Sequence, residues 1–146
     1  MIEKILHNDV LFALIVRSTF TAEGIQFFTP DEFSQQLAYM KRPVNWRIDP
    51  HVHNPVARSV EYTHEVLFIK SGKVRVDFYE DMTTYIESRV LYPGDVILLA
   101  HGGHGFTMLE ESEMLEVKQG PYSGVGDKTR FSGISDADVK IRGTLS

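Results

Sequence analysis

Apolar and polar positions alternate most clearly over residues 59 to 79, SVEYTHEVLFIKSGKVRVDFY. Val60, Tyr62, His64, Val66 and Phe68 alternate with Glu61, Thr63, Glu65, Leu67 and Ile69, the period-2 signature of a strand. Ser71-Gly72 suits a tight turn, which predicts a hairpin pairing Ile69 with Val74, Leu67 with Val76 and Glu65 with Phe78. One face of that hairpin is apolar apart from a single carboxylate, Glu65. The other carries His64, Arg75, Asp77 and Tyr79 among Val66 and Phe68.

Other segments repeat the theme. Val10 to Val16, VLFALIV, reads as a buried strand or a short helix, and as a strand it would extend one sheet or cross to a partner. Gly24 opens a short strand ending at Phe28. Thr29-Pro30-Asp31-Glu32 then has the form of a helix start, with Thr29 as cap, Pro30 in the first turn and Glu32 completing a capping box. This predicts a helix over residues 30 to 41, with Phe33, Leu37 and Met40 near one face, stopping before Pro43. Further on, a Pro93-Gly94-Asp95 turn leads into an apolar strand from Val96 to Ala100 and a glycine-rich loop. Residues 113 to 118 alternate again, with Met114, Glu116 and Lys118 opposite Leu115 and Val117. Many short strands with turn signals between them predict a mainly β sandwich or barrel, a jelly roll before others. The expected organisation is a single domain over residues 1–146. Residues 1–43 form a strand-and-helix extension, 44–120 a barrel, and 121–146 a turn-rich tail wrapping the surface.

Composition narrows the chemistry. A chain of 146 residues is long enough to bury a core without cross-links. It has no cysteine, so any metal is left to His, Asp and Glu. A net charge of −5 without a basic cluster argues against a nucleic-acid surface. Val10 to Val16 is too short to span a bilayer, and the acid-bearing start MIEKILHNDVL does not read as a signal peptide, so the expected location is the cytoplasm.

Five of the six histidines fall between residues 51 and 104. His51 and His53, in DPHVHN, face the same side of an extended chain and suit a common ion. His104 follows Gly102-Gly103, where the backbone can approach closely. Glu65 projects from the apolar hairpin face, where an unpaired carboxylate is costly, and a divalent cation held with three imidazoles would satisfy it. Three His and one Glu suit Fe, Mn, Ni, Cu or Zn. Each residue also has a plainer role: the His-x-His pair as an exposed loop, Glu65 as a partner of Arg47 or Arg58, His104 as a donor to a backbone carbonyl. His64, of opposite strand parity to Glu65, is expected on the outer face or at an interface across from Tyr79. His101 is expected at the surface or behind the ligands, with an acid/base role open.

These residues resemble the cupin superfamily. EVLFIKSG, residues 65 to 72, is similar to the Glu-x6-Gly half of its first motif, and PGDVILLAHGGHGF, Pro93 to Phe106, to its second, with His104 in the histidine position. EVKQGPYSGVGDK, residues 116 to 128, and the arm Pro50 to His53 resemble small cupin-fold metalloproteins of the WbuC type, which go with surface-polysaccharide biosynthesis. The resemblance spans roughly Ile48 to Lys128. It implies an antiparallel jelly-roll barrel (a double-stranded β-helix), a homodimer, and a metal held by His51, His53, Glu65 and His104. One departure stands out: eleven residues separate His53 from Glu65, where cupins have three or four, so residues 54 to 64 must loop out for the arm to return.

The resulting expectation is a metal-dependent cupin acting on a small polar metabolite, a sugar or sugar nucleotide, by isomerisation or oxidation. Leu67, Ile69, Val74, Val76 and Phe78 would form an apolar lumen wall, with Arg47, Arg58 and Tyr62 at the mouth for substrate. Two alternatives stand beside it. One is a metal-containing ligand-binding or regulatory protein without turnover; the other is a metal-free cupin sugar isomerase using histidine acid/base chemistry.

Overall fold

A computed structural model describes residues 1–143. The fold is mainly β, with antiparallel sheets and no α-helix among the described residues. The strands are β1 (Ile2–His7), β2 (Val10–Val16), β3 (Gly24–Phe27), β4 (Ala38–Lys41) and β5 (Glu65–Ser71). They continue with β6 (Val74–Tyr79), β7 (Tyr85–Leu91), β8 (Val96–Leu99), β9 (Gly103–Met108) and β10 (Glu113–Lys118). One sheet has the order β1-β2-β8-β5-β10, a second has β7-β6-β9, and β3 and β4 pair by themselves.

The core lies between the two larger sheets. Phe12, Ala13 and Ile15 of β2, Leu67 and Ile69 of β5, and Ile97 and Leu99 of β8 face Val74, Val76 and Phe78 of β6 and Leu91 of β7. VLFALIV is thus a strand that extends one sheet, held between β1 and β8. Asn8 and Asp9, with φ of 49° and 62°, make the two-residue turn that joins β1 to β2, a geometry these residue types tolerate. The Pro-Gly-Asp turn before β8 is anchored by Asp95, 2 % exposed. Its carboxylate accepts from the Tyr92 and Ser18 amides at 3.0 and 2.8 Å and from Arg17 at 2.7 Å.

Two expectations are corrected. Residues 59 to 79 do not form a hydrogen-bonded hairpin: β5 pairs with β8 and β10, and β6 with β7 and β9. The chain instead turns from one sheet to the other at Ser71–Lys73. Gly72 sits there at φ 79°, where a Cβ would collide with the Glu111 carbonyl. The alternation still selects the inward face, so Leu67, Ile69, Val74, Val76 and Phe78 all point into the core. They fill it, and wall no open lumen. The strand also begins only at Glu65, because residues 59 to 63 are exposed and unpaired.

The helix over residues 30 to 41 is absent. Residues 28 to 37 form a loop joining β3 to β4, and the side chains that suggested a capping box close that loop instead. Thr29 donates to the Gln36 side chain at 2.8 Å and accepts from the Leu37 amide at 3.2 Å, while Gln36 donates to the carbonyls of Pro30 and Phe33, both at 2.9 Å. Thr and Gln side chains that satisfy nearby backbone groups compete directly with helix formation.

The tail lies on the outer side of the three-stranded sheet. Phe131 meets Tyr79 edge-on at 5.0 Å, the Ile134 amide donates to the Tyr79 hydroxyl at 2.9 Å, and Asp136 pairs with Arg75 at 2.9 Å. Residues 144–146 of the expected tail lie outside the described residues.

Candidate functional site

The two sheets end on one side in the edge strands β10 and β9, and a cavity of about 920 Å³ opens between and around them. Strand parity fixes what faces it. Glu65 shares the inward face of β5 with Leu67 and Ile69, at the end of that strand where the apolar row stops. His104, opposite Phe78 in the β6–β9 ladder, is inward on β9, and Phe106, opposite Val76, lies beside it. On β10, Lys118 pairs with Glu65 and Glu116 with Leu67, so both face inward as well.

Glu65 and His104 meet across the sandwich, Nε2 to Oε2 at 3.1 Å, with side chains 13 % and 28 % exposed. The imidazole N–H bonded to the carboxylate holds Glu65 below the ordinary carboxylate range. Burial opposes this, and the nearby charges of His104, Lys118 and Lys128 reinforce it. Lys118 lies 3.6 Å from Asp127 and 4.0 Å from Glu116. Arg130 and Phe131 of the tail complete the wall. The result is a carboxylate–imidazole pair in a wall of mixed charge, with Lys128 and Arg130 beside Glu116 and Asp127, and aromatic surface from Phe106 and Phe131.

Gly102 makes the approach to His104 possible. Its φ is 69°, and a Cβ there would collide with the Phe12 ring and the Tyr79 carbonyl. Only a bare backbone fits where the chain leaves the core and enters β9.

Of the four expected ligands the structure brings two together. His51 and His53 lie on an arm, residues 41 to 63, in which every residue is exposed. Their rings are 5.3 Å apart, and His51 Nδ1 lies 3.0 Å from the Asp49 carbonyl, but neither lines the cavity. No group of three or more His, Asp or Glu side chains converges on one point among the described residues. Glu65 has its partner in His104 rather than in Arg47 or Arg58.

The expected substrate residues are displaced too. Arg47 and Arg58 are on the exposed arm, and Tyr62 stacks edge-on against His101 at 5.2 Å. The reason is the late start of β5: with 59 to 63 outside the sheet, strand parity no longer aims these side chains at the mouth. Tyr62, His101 and His64 instead border a smaller cavity of about 410 Å³ on the other side of the sheet. His64 is on the outer face, as parity requires, but it lies under Phe33 and Ser34 and not across from Tyr79, because β5 and β6 are not paired. Burial pushes its pKa down. His101 touches Phe12 as well, at 5.3 Å.

The sequence reading missed Glu116, Lys118, Lys128 and Arg130. For the first two a signal existed, since they alternate with Leu115 and Val117. It was ambiguous because the apolar pair, 59 % and 63 % exposed, is the outward one.

Compared with family models, curated proteins and solved structures, the chain finds no match in any of the three. Among the described residues no helix is long and apolar enough to cross a membrane.

Proposed function

We propose that this chain is a cupin-type jelly-roll protein that uses a divalent metal to act on a small anionic, hydroxylated metabolite, a sugar or sugar nucleotide, by isomerisation or oxidation. One observation carries the reading: Glu65 and His104, from opposing sheets, converge at 3.1 Å in a part-buried cavity. Two donors each about 2.1 Å from one ion, at tetrahedral to octahedral angles, lie roughly 3.0–3.4 Å apart, so the pair fits as two neighbouring ligands. His51 and His53 are the donors that would complete the set. When bound, the metal supplies Lewis acidity toward a hydroxyl or carbonyl oxygen.

The chain's own residues supply the rest. Lys128 and Arg130 favour a phosphate or carboxylate at the mouth, and Phe106 and Phe131 offer faces to a sugar or base. Met114 and Phe106 pack against the core beside the site. The same hydrogen bond favours a second reading, in which Glu65 orients His104 as an acid/base without metal.

Elemental analysis of untagged protein separates the two. Metal near one per chain, lost in both Glu65→Gln and His104→Ala and kept in Arg130→Ala, is the outcome expected. A metal-free parent after reconstitution with Fe(II), Mn(II), Ni(II) and Zn(II) leaves the acid/base reading. The proposed homodimer is measured by light scattering on the same samples.

A further inference from the structure

Residues 44 to 53, VNWRIDPHVH, alternate without a break: Val44, Trp46, Ile48, Pro50 and Val52 are apolar, and Asn45, Arg47, Asp49, His51 and His53 are polar. That is the pattern of a half-buried strand. Yet all ten residues are exposed and none is in a strand, Val44 and Val52 being 89 % and 86 % exposed. Three contacts hold the arm locally: Arg42 stacks on Trp46 at 4.9 Å, the Trp46 amide donates to the Pro43 carbonyl, and His51 meets His53. Asn45 is held at φ 67°, a bend an extended strand would release.

The body has a matching vacancy. β10 is an edge strand, so one row of its backbone N–H and C=O groups is unpaired, and its outward side chains Leu115 and Val117 are exposed beside Phe68 of β5. Its start carries Glu110, Glu111 and Glu113, opposite in sign to Lys41, Arg42 and Arg47 at the start of the arm. An arm laid parallel to β10, with Trp46 beside Leu115 and Ile48 beside Val117, continues the apolar outer face and puts the acidic and basic ends together. Parity then does the rest. With the even residues outward, His51 and His53 face inward beyond the end of β10, alongside Gly120 and Tyr122, two and four positions past Lys118, the residue paired with Glu65.

We infer that the arm of one copy adds as a strand to the β10 edge of a second copy and delivers His51 and His53 to that copy's Glu65 and His104. The inference rests on the metal reading for the role of the histidines, though not for the docking. Among the described residues of a single chain, residues 44 to 53 are all exposed, and so are Leu115 and Val117 on the β10 edge. A second copy supplies both missing partners at once, and the contact is mutual in a two-fold dimer.

Two readouts test it. Copies carrying His51→Ala/His53→Ala and Glu65→Gln/His104→Ala, with different peptide tags free of histidine, are co-expressed and purified through both tags in turn. Each variant alone is expected to be metal-free. The mixed dimer regains half the parental metal per chain, because one of its two sites is whole. A mixed dimer without metal beside a loaded parent overturns the exchange and puts the arm on its own chain, as does a loaded parent that is a monomer.

The second readout needs no metal. Trp46 is the chain's single tryptophan. Its emission is expected to be blue-shifted in the parent dimer and to move to the red in Leu115→Asp/Val117→Asp, which elutes as a monomer. A parent whose emission and elution match that variant has no docked arm, and the inference falls. A dimeric, blue-shifted parent that holds no metal keeps the docking and removes the metal reading.

Discussion

Strand β6 and the arm of residues 44 to 53 alternate equally well, and their fates are opposite. In VRVDFY every residue is buried; in VNWRIDPHVH every residue is exposed. β6 has β7 on one edge and β9 on the other, the second sheet against its apolar face, and the tail across its polar face. Arg75 on that polar face is neutralised by Asp77 and Asp136 at 2.9 Å each. The arm has the same amphipathic pattern with no strand paired to it among the described residues. Alternation selects which side chains face the same way; it does not supply the edge to pair with or the surface to cover.

Substitutions ordered by size make that contrast measurable. Phe78→Ala, at 1 % exposure in the packed face of β6, is expected to cost about 3–5 kcal/mol in chemical denaturation. Asp95→Ala removes the most buried carboxylate among the described residues and leaves Arg17, whose Nη1 it accepts from at 2.7 Å, with one of its two carboxylate partners, and it frees the Tyr92 and Ser18 amides. A loss of about 3 kcal/mol is expected by the same method. At the other end, Val52→Ser on the arm is expected to shift unfolding of the Leu115→Asp/Val117→Asp monomer by less than about 0.5 kcal/mol. A loss comparable to that of Phe78→Ala would show that the arm packs on its own chain.

His64-Glu65, where the chain enters β5, gives an intermediate and pH-dependent effect. Burial depresses the His64 pKa below its ordinary 6.5, so the unfolded state binds the proton more readily. Its contribution is complete above pH 6.5 and declines as the pH falls below that. Glu65, held down chiefly by the hydrogen bond from His104, follows the same sign at lower pH: its contribution is present above its ordinary 4.5 and is lost as the pH falls through the depressed value. Denaturation of metal-free protein from pH 8 down to pH 3 should therefore show two declines on acidification, the second setting in below pH 4.5. His64→Gln is expected to remove the first and Glu65→Gln the second. A His64→Gln curve that keeps the first decline assigns it elsewhere.

Much of the β architecture was legible because its causes are local in sequence. The inward row Leu67, Ile69, Val74, Val76 and Phe78 and the strand that follows the Pro93-Gly94-Asp95 turn, Val96–Leu99, follow from periodicity and turn residues. The helix was misread because Thr29 and Gln36 serve a loop as well as a cap, and only the paired strands on either side settle which. Of the site, the placing of Glu65 on an inward apolar face and of His104 after a glycine pair was readable. The joining of the two was not, because they are thirty-nine positions apart and come from different sheets.

Sequence alone established a cysteine-free, mainly β chain with a carboxylate on an apolar strand face and histidines gathered in its middle. Those properties depend on residue type and on spacings of a few positions, which sterics and backbone geometry translate directly. Folding in three dimensions chose the partners of each strand, turning a predicted hairpin into a crossing between sheets. It also turned Glu116 and Lys118 toward the cavity and left the arm with His51 and His53 outside it. Those outcomes depend on competition among distant edges and faces, where the winner is the arrangement that pairs the most backbone and buries the most apolar surface, and no short window of sequence contains the competitors.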